Sequence, residues 1–169
     1  SSSHCFLTSA GPRPPCWPLR TPPWSMPATN LRSRFATAQN LMLYSWFVYG
    51  FAPTAELEAY ATLEFALALK LNPGNKRRLT LKRLMAKAID QQLLQDEGVV
   101  DIALPHMALE ERLSYVRARS EPASDRQKYV KELAASFPSS RNYLAHGSVA
   151  LWPGNILILS LVAGLINKL

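Results

Sequence analysis

Proline decides where this chain can and cannot be helical. Six of its 13 prolines are crowded into GPRPPCWPLRTPPW, residues 11–24. A ring that removes the backbone donor and fixes φ blocks helix formation at that density. The stretch also lacks the continuous apolar region of a secretory signal. Residues 1–29 are therefore expected to form a disordered tail. It has two alternative readings: a non-native addition, with Met26 and the PATNLRSRF that follows as the natural start, or a proline-rich ligand segment for a partner domain. Further on, Pro53, NPGN at 72–75, Pro105, Pro122 and Pro138 fall between stretches of helical period.

Apolar spacing places the helices between these breaks. Asn30 is expected to cap a helix reaching about Tyr49. Thr54 is expected to cap a second, reaching Leu71, with Glu56 and Glu58 in its first turns, where the dipole favours negative charge. Its buried stripe reads Leu57, Tyr60, Ala61, Leu67, Ala68 and Leu71. A third helix spans roughly Arg78 to Leu94, with Leu81, Leu84, Met85 and Ala88 inward, and Gly98 breaks it. VVDIAL suits a short strand or a loop equally. HMALEERLSYVRAR suits a helix ended by Pro122. Ser124 opens another, with Tyr129, Val130, Leu133 and Phe137 along one side, which Pro138 ends. NILILSLVAGLINKL closes the chain. The two greasiest runs, LMLYSWFVYGFA and ILILSLVAGLI, fall short of the roughly 20 apolar residues of a spanning helix. Both are expected to be buried core helices, and no membrane partner is expected. With no hairpin and no repeat, residues 30–169 should form one all-α bundle around a real core.

The chain carries a net charge of +7, with a pI of about 9.7. That balance fits a polyanionic partner, of which nucleic acid is the commonest. Cys5 and Cys16 are the two cysteines, so neither a disulfide framework nor a zinc-ligand spacing runs through the rest of the chain. A reducing, cytoplasmic setting follows as the expectation.

Two local features break the bland pattern. Glu64 falls inside the apolar stripe of the second helix, seven residues from both Leu57 and Leu71. A carboxylate there is costly without a cation or a donor, unless the stripe is slightly rotated or the side chain reaches solvent at its edge. Arg141 is the candidate partner. Arg141 itself opens RNYLAHGS. Ser139 or Ser140 suits a helix start, and Gly147 a helix end. Asn142 and His146, four apart, share a face of that helix, whereas Arg141 and His146 lie roughly 140° apart around it. Each residue taken singly has a structural reading: the dipole favours histidine near a helix C-terminus, and glycine caps it. NKRRLTLKRLMAK adds Lys76, Arg77, Arg78, Lys82, Arg83 and Lys87, which are either a solvated face or a strip that tracks phosphates. His106 has no assigned role, and Trp46, Tyr49 and Phe51 read as core or interface.

Taken together, these residues resemble the HEPN-domain ribonucleases. RNYLAH fits their signature of Arg, a polar residue that is often Asn, three or more residues, and His. AELEAYATLEFALALKL is similar to the family's Glu-bearing helix and LTLKRLMAKAIDQQLL to the helix after it, and RNYLAHGS with a closing helix ending LINKL resembles its C-terminal end. The likeness covers roughly Leu31 to Leu169 and leaves the proline-rich tail without a counterpart. It implies a small helical bundle that dimerises and cuts RNA without a metal or other cofactor, as a toxin or in defence against phage. Arg141 and His146 would be the catalytic pair, with Asn142 beside them and Glu64 in support. The residue types suit that chemistry. Histidine's ordinary pKa of about 6.5 allows proton transfer near neutrality, and arginine offers a fixed charge to the phosphorane oxygens. No aspartate-rich cluster suggests a Mg²⁺ site. The family also implies alternatives: an inactive dimerising or RNA-binding module, or a toxin held in check by an antitoxin or a nucleotidyltransferase partner. A non-catalytic regulator of nucleic acid ranks last, since no helix-turn-helix is evident. An active homodimer with facing motifs is expected, its seam supplied by Leu41–Phe51 or by the closing helix.

Overall fold

The computed structural model describes residues 29–71, 79–97, 99–103, 127–147 and 155–169. Among these the regular structure is entirely helical: α1 (Thr29–Tyr44), α2 (Phe51–Leu71), α3 (Leu81–Asp90), α4 (Val99–Ala103), α5 (Lys128–Ala145) and α6 (Asn155–Lys168). The all-α expectation holds for the described residues. The tail, the helix expected in HMALEERLSYVRAR, and the positions of Gly98, His106 and Ser124 lie outside them.

α2 is the central element. α1, α3, α5 and α6 all pack on it, while α4 lies against α6. Its helix begins at Phe51 rather than at Thr54. Pro53 sits in the first turn, where the missing N–H would have had no intrahelical acceptor, and Thr54 donates from its hydroxyl to the Gly50 carbonyl at 3.3 Å instead of capping. The buried face is also rotated from the expected stripe. Ala59, Thr62, Leu63 and Ala66 are buried, whereas Leu57, Ala61 and Ala68 are only half-buried. Leu63, Leu67, Leu84, Met85, Val130 and Phe137 meet in one core with Val162 and Leu165 of α6.

Several boundaries differ from the expected ones for identifiable reasons. α1 stops at Tyr44, five residues early. The Ser45 hydroxyl takes the Met42 carbonyl at 2.6 Å, and the aromatic and β-branched run that follows is a poor helix former. That run is not core: Trp46, Phe47, Val48 and Tyr49 are exposed. ILILSLVAGLI, by contrast, buries Leu159, Leu161, Val162 and Leu165 within the fold. VVDIAL contains a five-residue helix rather than a strand. It lies close to α6 because Gly164 has no Cβ to meet the Ile102 Cδ1 atom. Pro138 does not end α5, which runs through it to Ala145. Contacts on both sides hold the helix together there: Phe137 stacks edge-on against Tyr60, with ring centroids 5.0 Å apart, and Arg141 meets Glu64.

α3 ends at Asp90 rather than Leu94. Gln92 adopts φ +57°, the Leu93 amide reaches back to the Ala88 carbonyl, and the Gln92 amide reaches the Ile89 carbonyl, both at 2.9 Å. This is a Schellman stop with glutamine where glycine is usual. Replacing Gln92 with glycine should remove the left-handed penalty and raise stability by about 1 kcal/mol. Chemical denaturation of the two proteins side by side checks it, and an unchanged or lowered midpoint would contradict it.

The start of α5 is held from a distance. Its N-cap residue, Gln127, makes no side-chain cap. Instead the buried Asp96 carboxylate accepts from the Tyr129 amide at 3.0 Å and the Val130 amide at 2.8 Å. The Gln127 amide nitrogen in turn donates to the Ile89 and Leu94 carbonyls, at 2.9 and 3.0 Å. These bonds tie α5 to the turn after α3, and so set the position of everything α5 carries.

Candidate active site

α2 and α5 bring Glu64, Arg141 and Asn142 together, while His146 stands at the exposed end of α5. Glu64 lies on the face of α2 toward α5, about one turn beyond the Tyr60–Phe137 contact. Arg141 on α5 sits one turn beyond Phe137. The Arg141 Nη2 atom lies 3.5 Å from the Glu64 Oε2 atom. The pairing expected from a carboxylate in an apolar stripe is therefore present, and so is the rotation that brings Glu64 to the stripe's edge. Arg141 Nη1 also lies 3.5 Å from the Asn142 Oδ1 atom. The Arg141 Nε atom is buried without a hydrogen-bond partner. A donor left unpaired is costly, so the arginine is held where it is in spite of one unmet group. The ion pair is loose and partly solvated, which keeps its energetic worth small. It acts mainly to aim the guanidinium.

Asn142 and His146 are exposed. His146 is the C-cap of α5, its amide donating to the Asn142 carbonyl at 3.1 Å. Gly147 follows at φ +84°, a left-handed conformation in which glycine pays no Cβ penalty. The helix end expected at Gly147 is thus present, while Ser139 and Ser140 lie inside α5 rather than at its start. The motif accordingly occupies the last turns of a long helix, with a half-buried arginine behind and an exposed imidazole at the tip.

A second polar group, not singled out from the sequence, supports this corner. The Tyr60 hydroxyl donates to the Glu56 Oε1 atom at 3.0 Å, and the Ser140 hydroxyl also reaches the Tyr60 oxygen. Glu56 and Tyr60 are four apart on α2, a spacing that could have flagged them. Ser140 joins this group only because α5 continues through Pro138, which the local sequence does not show. Burial pushes the Glu56 carboxyl above its ordinary 4.5, and the Tyr60 bond only partly opposes that. Burial, then the neighbouring Glu56, raises the Tyr60 hydroxyl. A carboxyl raised in this way binds its proton more tightly in the folded state than in the unfolded one. Its contribution to stability is complete below pH 4.5 and is lost as pH climbs through the folded value. Glu56→Gln should therefore flatten the fall of stability above pH 4.5, as measured by urea midpoints across pH. A wild-type profile that rises with pH in that window would refute the assignment.

The basic strip is only partly assembled. Lys82 and Arg83 are exposed on α3. Lys87 is half-buried and donates from Nζ to the Leu71 carbonyl at 2.8 Å, closing the C-terminal end of α2 rather than facing solvent beside Arg83. Lys76, Arg77 and Arg78 lie outside the described residues. No protein-family model, curated protein or solved structure matches the chain.

Proposed function

We propose that this protein is a cytoplasmic, metal-independent endoribonuclease of HEPN type, acting as a toxin or phage-defence effector. The observation that carries the reading is the arrangement on α5: Arg141, aimed by Glu64 and Asn142, stands behind an exposed His146. In the reaction, the RNA 2′-oxygen attacks the adjacent phosphorus as the P–O5′ bond breaks. His146 relays protons: one leaves the 2′-hydroxyl and one reaches the departing 5′-oxygen. Arg141 offers its terminal N–H groups to the phosphorane oxygens as they gain charge. The products are a 2′,3′-cyclic phosphate and a 5′-hydroxyl. Lys82 and Arg83 contribute charge to RNA binding.

One histidine serves attack and departure poorly, so the active form is read as a two-fold dimer with facing motifs. Within the motif, Tyr143 is a large side chain left exposed and free to meet a second copy. The closing helix is spent on the core and is a weak candidate for the seam.

The test is cleavage of a single-stranded RNA in EDTA, followed by analysis of the new ends. Cyclic phosphate and 5′-hydroxyl ends are expected. Loss of cleavage in EDTA, or 3′-hydroxyl ends, would overturn the mechanism. The inactive-module reading is favoured by one feature, the partial neutralisation of Arg141 by Glu64. It expects RNA binding with no cleavage in the same assay.

A further inference from the structure

The turn between α1 and α2 has no place in the reading above. Leu43, Tyr44, Trp46, Phe47, Val48, Tyr49 and Phe51 are all exposed, Trp46 by 65%, Phe47 by 79% and Tyr49 by 72%. A segment lying flat on a protein buries every second or third side chain. This one buries none, so it projects. We infer that this tip is a membrane-docking loop that enters the headgroup region of an anionic lipid surface.

Four observations support lipid over protein as the occupant. The first is backbone satisfaction. The amides of Ser45, Trp46, Phe47, Val48, Phe51 and Ala52 all bond to carbonyls within the hairpin, at 2.9–3.4 Å. The Tyr49 and Gly50 amides at the apex make no such bond, so the depth that suits the tip is the headgroup layer, whose phosphate and carbonyl oxygens can accept from them, and not the hydrocarbon. The second is composition. Trp46, Tyr44 and Tyr49 each join an apolar ring to a polar group, the combination enriched where hydrocarbon meets water. Phe47, Leu43 and Val48 supply the purely apolar part. The third is charge. No acidic or basic residue occurs from Leu41 to Ala55, no acidic one from Thr29 to Ala55, and the chain as a whole carries +7. That balance complements an anionic leaflet. The fourth is support. Leu31, Phe35 and Ala38 of α1 and Ala55 and Ala59 of α2 are buried below the tip, and Arg34 lies over the Phe65 ring at 5.2 Å. The tip therefore stands on a rigid hairpin.

A second copy of the chain is a poorer fit. Phe51 is 13 residues before Glu64 on α2, roughly 20 Å at the helical rise, so a dimer built on the tip would not bring two motifs together. No helix among the described residues is long and apolar enough to cross a membrane. The inference is thus of a protein that lies on a surface rather than spanning one, which departs from the expectation of no membrane partner. Setting aside a second copy rests on the facing-motif dimer of the proposed function, whereas the vesicle test below reads the tip whether or not the protein cleaves RNA.

The test uses the full chain with Trp17, Trp24 and Trp152 replaced by phenylalanine, so that Trp46 alone reports. Vesicles of phosphatidylcholine, with and without phosphatidylglycerol, are the probe. With phosphatidylglycerol present, Trp46 emission should move to shorter wavelength and the protein should float with the vesicles, less so as salt is raised. Trp46→Glu and Phe47→Glu, made in the unmodified chain, should each weaken flotation at least about tenfold while leaving the circular dichroism intact. Three outcomes would each overturn the inference. One is Trp46 emission and flotation unchanged by anionic vesicles. Another is emission already shifted without lipid, as a segment of the same chain covering the tip would cause. The third is a shift that follows protein concentration and a dimer in sedimentation instead of lipid.

Discussion

His146→Ala should lower the rate of RNA cleavage by a factor on the order of 10² or more, the usual consequence of losing a positioned acid–base group. The fold should not change. The imidazole is exposed, and the helix end is set by backbone bonds and by Gly147, neither of which needs the side chain. Loss of rate with an unchanged unfolding midpoint is therefore the signature to look for. His146→Ala should also leave RNA affinity nearly intact, because the charges proposed to hold RNA, Lys82 and Arg83, lie on α3. Cleavage at the wild-type rate would remove His146 from the chemistry, whatever the fate of Arg141.

Asp96→Ala should be the most damaging polar substitution for the fold, at about 2–4 kcal/mol. Two amides at the start of α5 would lose a charged acceptor inside the structure, and each such bond is worth about 1.5–3 kcal/mol when broken on one side. The dipole of α5 would lose a carboxylate at its positive end as well. Asp96→Asn keeps one acceptor oxygen and should recover part of the loss. Urea unfolding with a constant slope measures both. A loss under about 0.5 kcal/mol for Asp96→Ala would mean that α5 does not depend on this cap. Because α5 carries the motif, the same variant should lose cleavage activity through population of unfolded protein, in proportion to its stability deficit.

The helices were legible because proline and apolar spacing act over a few residues. Glu64 and Arg141 were legible together for a related reason: a carboxylate in a greasy stripe must find a cation, and Arg141 was the candidate. The rotation of α2 was not, since with alanine and leucine on nearly all sides several faces score alike, and packing against four neighbours chooses among them. Asp96 was invisible for a different reason. It caps a helix that starts 32 residues later, and no local rule relates the two. Trp46 to Tyr49 misled because hydropathy records how greasy a side chain is, not whether the backbone turns it inward.

The proline inside α5 divides that helix into two unequal parts. Before it, Val130, Leu133 and Phe137 are buried; from Pro138 onward no residue of α5 is. Pro138 also leaves the Ala134 carbonyl without its usual N–H partner, so the ladder is thinnest where the burial ends. Amide protection should therefore fall in a step along one continuous helix, high up to Phe137 and low across the motif. The last two turns, held to the rest of the fold mainly by half-buried Leu144 and the Arg141–Glu64 pair, can open at less cost than the first part of the helix, and a substrate that contacts them would order only those two turns.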